Sequence, residues 1–321
     1  MANFATLNDH DTKNYQGMKE TILRLKKEKN ALIMAHYYQR DEIQEIADFI
    51  GDSLALARKA AETDADIIVM CGVHFMGETA KILSPDKKVL VPDMDAGCSL
   101  ADSCPADDFK TFVEAHPDHT VISYVNTSAA VKAHTDIVVT SGNALKIVSA
   151  LPADEKIIFG PDRNLGSYIN SVTGREMVLW PGACHVHDRF SLEKILELKK
   201  AHPEAKVLVH PECKRPLQLI ADKVGSTAAL LAFAQEDDAP EYIVVTESGI
   251  LREMRLKCPE KRFIPAPPDE AGCQCNECDY MKLNTLQKVY ECLRDETPEI
   301  HVDAEVAAKA VRSIERMLEL S

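Results

Sequence analysis

Short apolar runs alternate with amphipathic stretches along most of the chain. In the N-terminal part, the apolar runs predict three buried strands, at Ala31 to Ala35, Asp66 to Cys71 and Lys88 to Val91. Helical spacing predicts four helices there, at Tyr15 to Lys29, Ile43 to Ile50, Leu54 to Thr63 and Met76 to Leu83. Strands that alternate with helices in this way indicate a parallel sheet with helices on both faces.

The same order of strands and polar turns occurs three times. His36, Tyr124 and His210 each follow or end an apolar strand, and they are 88 and 86 residues apart. The serines at the starts of predicted helices have nearly the same spacing, 88 and 85 residues: Ser53, Ser141 and Ser226. Matched spacings of this kind indicate an internal repeat. The sequence therefore predicts an α/β protein made of three αβα domains with small parallel sheets, related by a pseudo-threefold axis.

The repeat also suggests where the domains begin and end. We predict a first domain at residues 1–101 plus 280–321, a second at 102–188 and a third at 189–279. Two predicted terminal helices, Leu283 to Leu293 and Ala304 to Leu320, belong to the first of these domains.

Each copy carries cysteine in a small-residue turn that follows a strand and a proline. Cys98 and Cys184 hold this position in the first two copies, and Cys278 matches them in the third. Cys275 and Cys278 form a C-x-x-C pair, but the chain has no second pair, which argues against a zinc ribbon or a ferredoxin-type run. Three thiolates without a fourth protein ligand suit a cubane iron–sulfur cluster with one open iron. Cys273 or Cys275 remains the alternative third ligand.

Polar residues stand where the predicted strands end. Ligands of parallel sheets bind outside the carboxyl ends of the strands, so three copies around one axis would form a single pocket. Its predicted lining is His36, Tyr38, Tyr124, Asn126, His210 and Glu212. Hydroxyls at helix starts suit a carboxylate or a phosphate, although they can also be plain helix caps: Ser53, Ser141, Ser226 and Thr227. His185 and His187 flank Cys184 and are candidates to support it.

Composition narrows the possible partners and compartment. The chain has 321 residues, ten cysteines and a formal net charge of -14. This negative charge, without any Lys/Arg run, argues against nucleic acid as a partner. The N-terminal stretch is polar and no apolar run is long enough to cross a bilayer, so we expect a cytoplasmic protein with reduced thiols. The isolated Cys71, Cys213, Cys258 and Cys292 are expected in the core.

Several motifs follow one another from about Tyr15 to Leu320, nearly the whole chain. They are His36-Tyr37-Tyr38, Gly51-Asp52-Ser53, Tyr124-Val125-Asn126-Thr127, Thr140-Ser141-Gly142-Asn143, Pro181 to His187, His210-Pro211-Glu212-Cys213 and Cys275-Asn276-Glu277-Cys278. In this order the chain resembles the quinolinate synthase family. The resemblance implies three αβα domains around a central [4Fe-4S] cluster. It also implies condensation of iminoaspartate with dihydroxyacetone phosphate to quinolinate, phosphate and water in de novo NAD biosynthesis, with an aspartate-oxidising enzyme as the expected supplier of iminoaspartate.

The resemblance extends to individual residues. It implies Cys98, Cys184 and Cys278 as the cluster ligands. It implies a substrate pocket lined by His36, Tyr38, Ser53, Tyr124, Asn126, Ser141, His210, Glu212, Ser226 and Thr227. Our candidate general base is Glu212 with His210 beside it, and our candidates for proton donor or relay are Tyr124 and Tyr38. The chain departs from some members of the family because Gly272 takes the first position of their C-x-x-C-x-x-C run.

Two other classes of protein remain as alternatives. An electron-transfer protein would need a cluster ligated entirely by protein, and the missing fourth cysteine disfavours it. A zinc-stabilised binding module would bind one zinc ion rather than iron.

Overall fold

The computed structural model describes residues 9–269 and 276–321. Its strands form three four-stranded parallel sheets, each accompanied by helices. The predicted α/β class with three αβα units is confirmed. Cys273 and Cys275, the alternative third ligands, lie outside the described residues.

Each unit of the repeat contributes four strands to its own sheet. The first sheet consists of β1 (Ala31–His36), β2 (Phe49–Gly51), β3 (Ile67–Cys71) and β4 (Lys88–Leu90). The second consists of β5 (Thr120–Tyr124), β6 (Ile137–Val139), β7 (Ile157–Gly160) and β8 (Val178–Leu179). The third consists of β9 (Lys206–Val209), β10 (Lys223–Val224), β11 (Glu241–Val245) and β12 (Arg262–Pro265).

Helices connect and follow these strands. In the first unit they are α1 (Asp9–Glu28), α2 (Asp41–Gln44), α3 (Ser53–Glu62) and α4 (His74–Leu83). From there to β8 they are α5 (Ser99–Asp102), α6 (Ala106–Glu114), α7 (Ala129–Lys132), α8 (Ala144–Ala150) and α9 (Arg163–Thr173). From β8 to β12 they are α10 (His185–Asp188), α11 (Leu192–Ala201), α12 (Arg215–Leu219), α13 (Thr227–Glu236) and α14 (Ile250–Lys257). A 3-10 turn at Met281–Leu283 then precedes α15 (Leu286–Asp295) and α16 (Ala304–Leu320).

The three sheets share one topology. Their strand orders are β2-β1-β3-β4, β6-β5-β7-β8 and β10-β9-β11-β12. In each sheet the second strand lies on one side of the first strand, at the edge of the sheet. The third strand lies on the other side of the first strand. The crevice between the carboxyl ends of these two strands is the usual ligand position in open α/β sheets.

One predicted helix is wrong. Instead of a helix over Ile43 to Ile50, the chain forms the single turn α2 and then the edge strand β2. Strand β2 runs parallel to β1, with Met34 opposite Phe49 and His36 opposite Gly51. An edge strand of three residues is too short to show a period of two. Its pairing with β1 is a tertiary contact that local propensity does not report.

The largest hydrophobic cluster joins the three units. It contains side chains from all three sheets, among them Met70, Ile122 and Val244. Helix α15 packs on α1 and β3 in the first unit, whereas α16 packs on α7 and β6 of the second and on α4 of the first. The division into the three predicted domains stays a prediction. None of the helices in the described ranges is long and apolar enough to span a membrane.

Substitution of Gly77 tests the packing between α4 and the segment before α16. A β-carbon at Gly77 would lie 2.6 Å from Val91 Cγ2 and 2.9 Å from Ile300 Cγ1, both on branched side chains with little freedom to move. We expect Gly77→Ala to lower the free energy of unfolding by about 1–3 kcal/mol, measured by denaturant titration. The matched control is Gly17→Ala on α1, where a β-carbon meets nothing within 4 Å. We expect Gly17→Ala to raise the free energy of unfolding by about 0.5–1 kcal/mol, because alanine favours an exposed helical position more than glycine does. Equal stability of the two variants would contradict the close packing at Gly77.

Candidate active site

A central cavity lies at the carboxyl ends of the three sheets. It encloses about 700 Å³ of space not filled by atoms, including its opening to solvent, and is lined by residues of all three units. Twelve of the predicted site residues line it together: His36, Tyr38, Ser53, Cys98, Tyr124, Asn126, Ser141, Cys184, His210, Glu212, Thr227 and Cys278. Ser226 is not part of this lining. Its hydroxyl caps α13 by accepting the Ala229 N–H at 3.2 Å.

Two histidines occupy equivalent positions and have the same internal hydrogen bond. His36 Nδ1 accepts the backbone N–H of Tyr38 at 3.1 Å, and His210 Nδ1 accepts that of Glu212 at 3.3 Å. Each bond leaves the ring proton on Nε2, and His210 Nε2 lies 3.3 Å from Ser141 Oγ. Burial lowers the pKa of both histidines to about 3, so both are neutral at pH 7. The site thus presents two neutral N–H donors at the ends of β1 and β9.

Glu212 is a buried carboxylate with partners from other parts of the chain. Tyr124 donates its hydroxyl to Glu212 Oε1 at 2.5 Å, and His187 Nδ1 lies 3.0 Å from Glu212 Oε2. Burial alone would raise the pKa of Glu212, but His187 and the hydrogen bond from Tyr124 lower it below its ordinary range. Burial and the neighbouring carboxylate raise the pKa of Tyr124 well above its ordinary value. The pair therefore consists of an anionic acceptor and a neutral phenol donor.

Tyr38 and His187 meet at a shared hydroxyl. Thr246 Oγ1 lies 2.8 Å from the Tyr38 hydroxyl and 2.9 Å from His187 Nε2. The Tyr38 hydroxyl also lies 2.6 Å from Thr227 Oγ1. Together with Glu212, these contacts form one continuous hydrogen-bonded network along the cavity wall, along which protons can be exchanged.

The helix starts next to the cavity differ in how they are capped. Asp52, not Ser53, caps α3, since Asp52 Oδ1 accepts the Ala55 N–H at 3.1 Å. Within the described part of the chain, the Ser53 side chain has no hydrogen-bond partner, and the buried Asn126 Oδ1 also lacks one. Both side chains line the cavity. Polar groups in this state are available to a polar ligand.

The three cysteine loops contact one another. Ser99, next to Cys98, has its hydroxyl 2.6 Å from His185 Nδ1, and His185 follows Cys184 directly. The His185 ring packs edge-on against Tyr280, with 5.9 Å between ring centroids, and Tyr280 lies two residues after Cys278. These contacts hold the three loops against each other at one end of the cavity.

Two buried carboxylates fix the backbone of two of these cysteines. Asp162 Oδ2 accepts the Cys184 N–H at 2.9 Å, and Glu247 Oε1 accepts the Cys278 N–H at 3.1 Å. The buried Glu247 also forms an ion pair with the partly buried Lys282 at 3.1 Å. Such second-layer contacts orient metal ligands in general.

The three thiols are too far apart to bind one metal ion together. Burial raises the pKa of Cys98 to about 12 and of Cys278 to about 11, and that of Cys184 well above its ordinary value. Thiolates here therefore require a compensating cation. In the described ranges, the only ligand group with all its atoms within 4.8 Å is Cys184, His187 and Glu212, so the three sulfur atoms are not that close together. One zinc ion would need all three within about 4 Å of each other, given Zn–S bonds of about 2.3 Å.

Several residues of this site were not identified from the sequence. Asp162, Thr246 and Glu247 were missed because each looks like an ordinary polar residue after a strand. Asp162 and Glu247 follow β7 and β11, which occupy the same place in their sheets, so aligning the repeats would have found them. His187 contacts Cys184 Sγ at 3.3 Å, as its position beside Cys184 predicts, but its contact with Glu212 has no signal in the sequence.

Comparison with known proteins gives a consistent result. The family model described as quinolinate synthetase A protein matches residues 20–319. The quinolinate synthase of Microcystis aeruginosa is 57% identical over 300 residues, covering 94% of this chain and 94% of the relative. That of Thermosynechococcus vestitus has the same identity and coverage, and that of Nostoc sp. PCC 7120 is 56% identical over 94% of this chain and 92% of its own. With this match over nearly its whole length, the chain belongs to the quinolinate synthetase A family.

Proposed function

We propose that this protein is a quinolinate synthase that condenses iminoaspartate with dihydroxyacetone phosphate to quinolinate, phosphate and water. The observation that carries the proposal is that one cysteine from each of three repeats borders the same cavity as the Glu212–Tyr124 pair. Family membership supports the same activity. In this role the enzyme serves de novo NAD biosynthesis in the cytoplasm, and an aspartate-oxidising enzyme supplies its unstable imine substrate.

Cys98, Cys184 and Cys278 would hold a [4Fe-4S] cluster. When bound, such a cluster with one iron free of protein ligands supplies a Lewis acid for a substrate oxygen or nitrogen. Asp162 accepts the backbone N–H of Cys184, and Glu247 accepts that of Cys278. His187 contacts the sulfur atom of Cys184. The three sulfur donors are partly buried and their loops contact one another, and sulfur suits iron better than a hard cation.

The anionic groups of the substrates require neutral or positive donors. His36 and His210 offer N–H groups, and Ser53, Ser141 and Asn126 add hydroxyl and amide groups. Thr227 contributes from the start of α13, while Ser226 acts only through the cap of that helix. Neutral donors bind carboxylate and phosphate oxygens without bringing a counter-charge that must itself be desolvated.

Proton transfer is assigned to the buried network. The condensation forms one C–C and one C–N bond and expels phosphate and water, so protons must leave carbon and nitrogen and reach oxygen. Glu212 is ionised and accepts protons, whereas Tyr124 is a phenol and returns them. Tyr38, linked through Thr246 to His187, provides a second route along the cavity wall.

Cluster content tests the ligand assignment. Anaerobically purified protein should contain about four irons and four sulfides per chain, as expected for a [4Fe-4S] centre. Cys98→Ala, Cys184→Ala and Cys278→Ala should each lose most of the iron and the visible absorption. The control is Cys258→Ala, because Cys258 is buried away from the cavity and contacts Ala234 O. One bound zinc that depends on Cys184 and His187 but not on Cys98 would instead favour a single-ion site at Cys184, His187 and Glu212.

Glu212→Gln tests the proton acceptor. The amide keeps the shape of the side chain and cannot take up a proton, so turnover should fall by about 10²-fold or more, measured as quinolinate formed from enzymatically generated iminoaspartate. Iron content should stay at the wild-type level. Glu253→Gln, at a buried glutamate that pairs with Arg252 on α14, is the control and should keep normal turnover. Near-normal turnover of Glu212→Gln would remove Glu212 from the mechanism.

A further inference from the structure

The loop that carries Tyr38 is held by a side chain of the helix after it. Gln44 Nε2 donates to Tyr37 O at 3.0 Å and to Gln39 O at 2.9 Å. These two carbonyls lie on either side of Tyr38 in the chain. The Gln44 amide is buried, so the two hydrogen bonds fix the loop from behind while Tyr38 faces the cavity.

The loop that carries Glu212 has the same contact. Gln218 Nε2 donates to Pro211 O at 2.9 Å and to Cys213 O at 2.7 Å. Again the two carbonyls flank one residue of the cavity.

In the second unit a lysine replaces the glutamine. Lys132 Nζ donates to Val125 O at 2.8 Å and also to Thr127 O. The residue between them is Asn126. We call these three arrangements the carbonyl clamps, each consisting of Gln44, Lys132 or Gln218 with its two carbonyl groups.

The clamps belong to the repeat. Gln44, Lys132 and Gln218 are 88 and 86 residues apart, the spacing of His36, Tyr124 and His210. Each is the fourth residue of its helix, in α2, α7 and α12 respectively. Two clamps show that a neutral amide makes both hydrogen bonds, so holding the loop does not require the charge of Lys132.

The ammonium group of Lys132 is a buried charge without a close counterion. The side chain is 0% exposed, and no carboxylate of the described residues lies within the 4.0 Å of an ion pair. Burial lowers its pKa to about 8, so it remains mostly protonated at pH 7, while the charge of Glu78, which lies beyond ion-pair distance, and that of Cys98 act to raise this pKa. It also lies 5.4 Å from the centroid of the Phe75 ring, and Phe75 lines the cavity. An isolated buried cation is costly unless an anion approaches it.

We propose that Lys132 is a positioning residue that holds Asn126 through its clamp and provides a fixed positive charge behind the cavity wall for the anionic substrate. The proposal rests on the proposed function, because it assumes that the cavity binds carboxylates. Lys132 does not itself line the cavity, so it acts through the Asn126 loop and its electric field. Its contribution should therefore grow with the negative charge of the ligand.

The test compares two product-like ligands that differ by one carboxylate. Quinolinate carries two carboxylates and nicotinate carries one, and their dissociation constants are measured by calorimetry on the cluster-loaded protein. Lys132→Gln keeps a clamp of the kind used in the other two units but removes the charge. We expect the Kd for quinolinate to rise on the order of tenfold, with a smaller rise for nicotinate. The KM of the substrates should rise while kcat changes little, and iron content should equal that of wild type.

Three further variants keep the test decisive. Lys261→Gln is the matched control, because Lys261 also donates to two backbone carbonyls, Ala234 O and Asp237 O, but lies away from the cavity. Lys132→Met removes the charge without placing an unpaired amide oxygen in the core, and it replaces Lys132→Gln in the comparison of quinolinate with nicotinate if that variant fails to fold. Lys132→Arg keeps a positive charge that can donate to the same carbonyls, so its Kd for quinolinate should stay near the wild-type value. A Kd for quinolinate unchanged in the neutral variants, or raised equally in Lys132→Arg, would overturn the proposal. Wild-type protein that neither binds nor forms quinolinate would instead refute the proposed function.

Discussion

The burial of Glu212 constrains the rest of the cavity. An ionised carboxylate removed from water is stable only if hydrogen-bond donors or positive groups surround it. Here the donors are Tyr124 of the second unit and His187, which lies beyond β8. The carboxylate therefore stabilises the arrangement in which these segments meet, and a unit that moved away would leave a charge unpaired. Loss of one partner of such a buried group typically costs about 3–5 kcal/mol.

The cysteine loops depend on the same assembly. Cys184 and Cys278 take their backbone orientation from Asp162 and Glu247, and their immediate neighbours interact through His185. Burial is the main cause of the raised pKa of each of these three thiols, and the charge of Glu212 or Glu247 adds to it. A bound metal centre would supply the compensating positive charge for the thiolates, so we expect metal binding to stabilise the packing of the three cysteine loops.

Repetition supplies the scaffold, and differences between the copies supply the chemistry. Three sheets of one topology place equivalent backbone positions around a single cavity. At one set of equivalent positions the three units carry Tyr38, Asn126 and Glu212. At the positions of the carbonyl clamps they carry Gln44, Lys132 and Gln218. A symmetric site would bind a symmetric ligand. The cavity instead presents a different group from each unit: the carboxylate of Glu212, the amide of Asn126 and the phenol of Tyr38. Different groups of this kind suit two substrates of different structure.

The sequence by itself determined the fold class, the threefold repeat and twelve of the residues that line the cavity. Strand and helix periods are local, and matched spacings such as His36, Tyr124 and His210 need only the order of residues along the chain. Tertiary structure alone decided the edge strand β2, which depends on pairing with β1, and the place of α16 against the second sheet. It also decided the network from Tyr124 to Tyr38 and the roles of Asp162 and Glu247. These are contacts between residues distant in sequence, whose side chains carry no local signal, because a buried polar group acquires its partner only when the chain has folded around it.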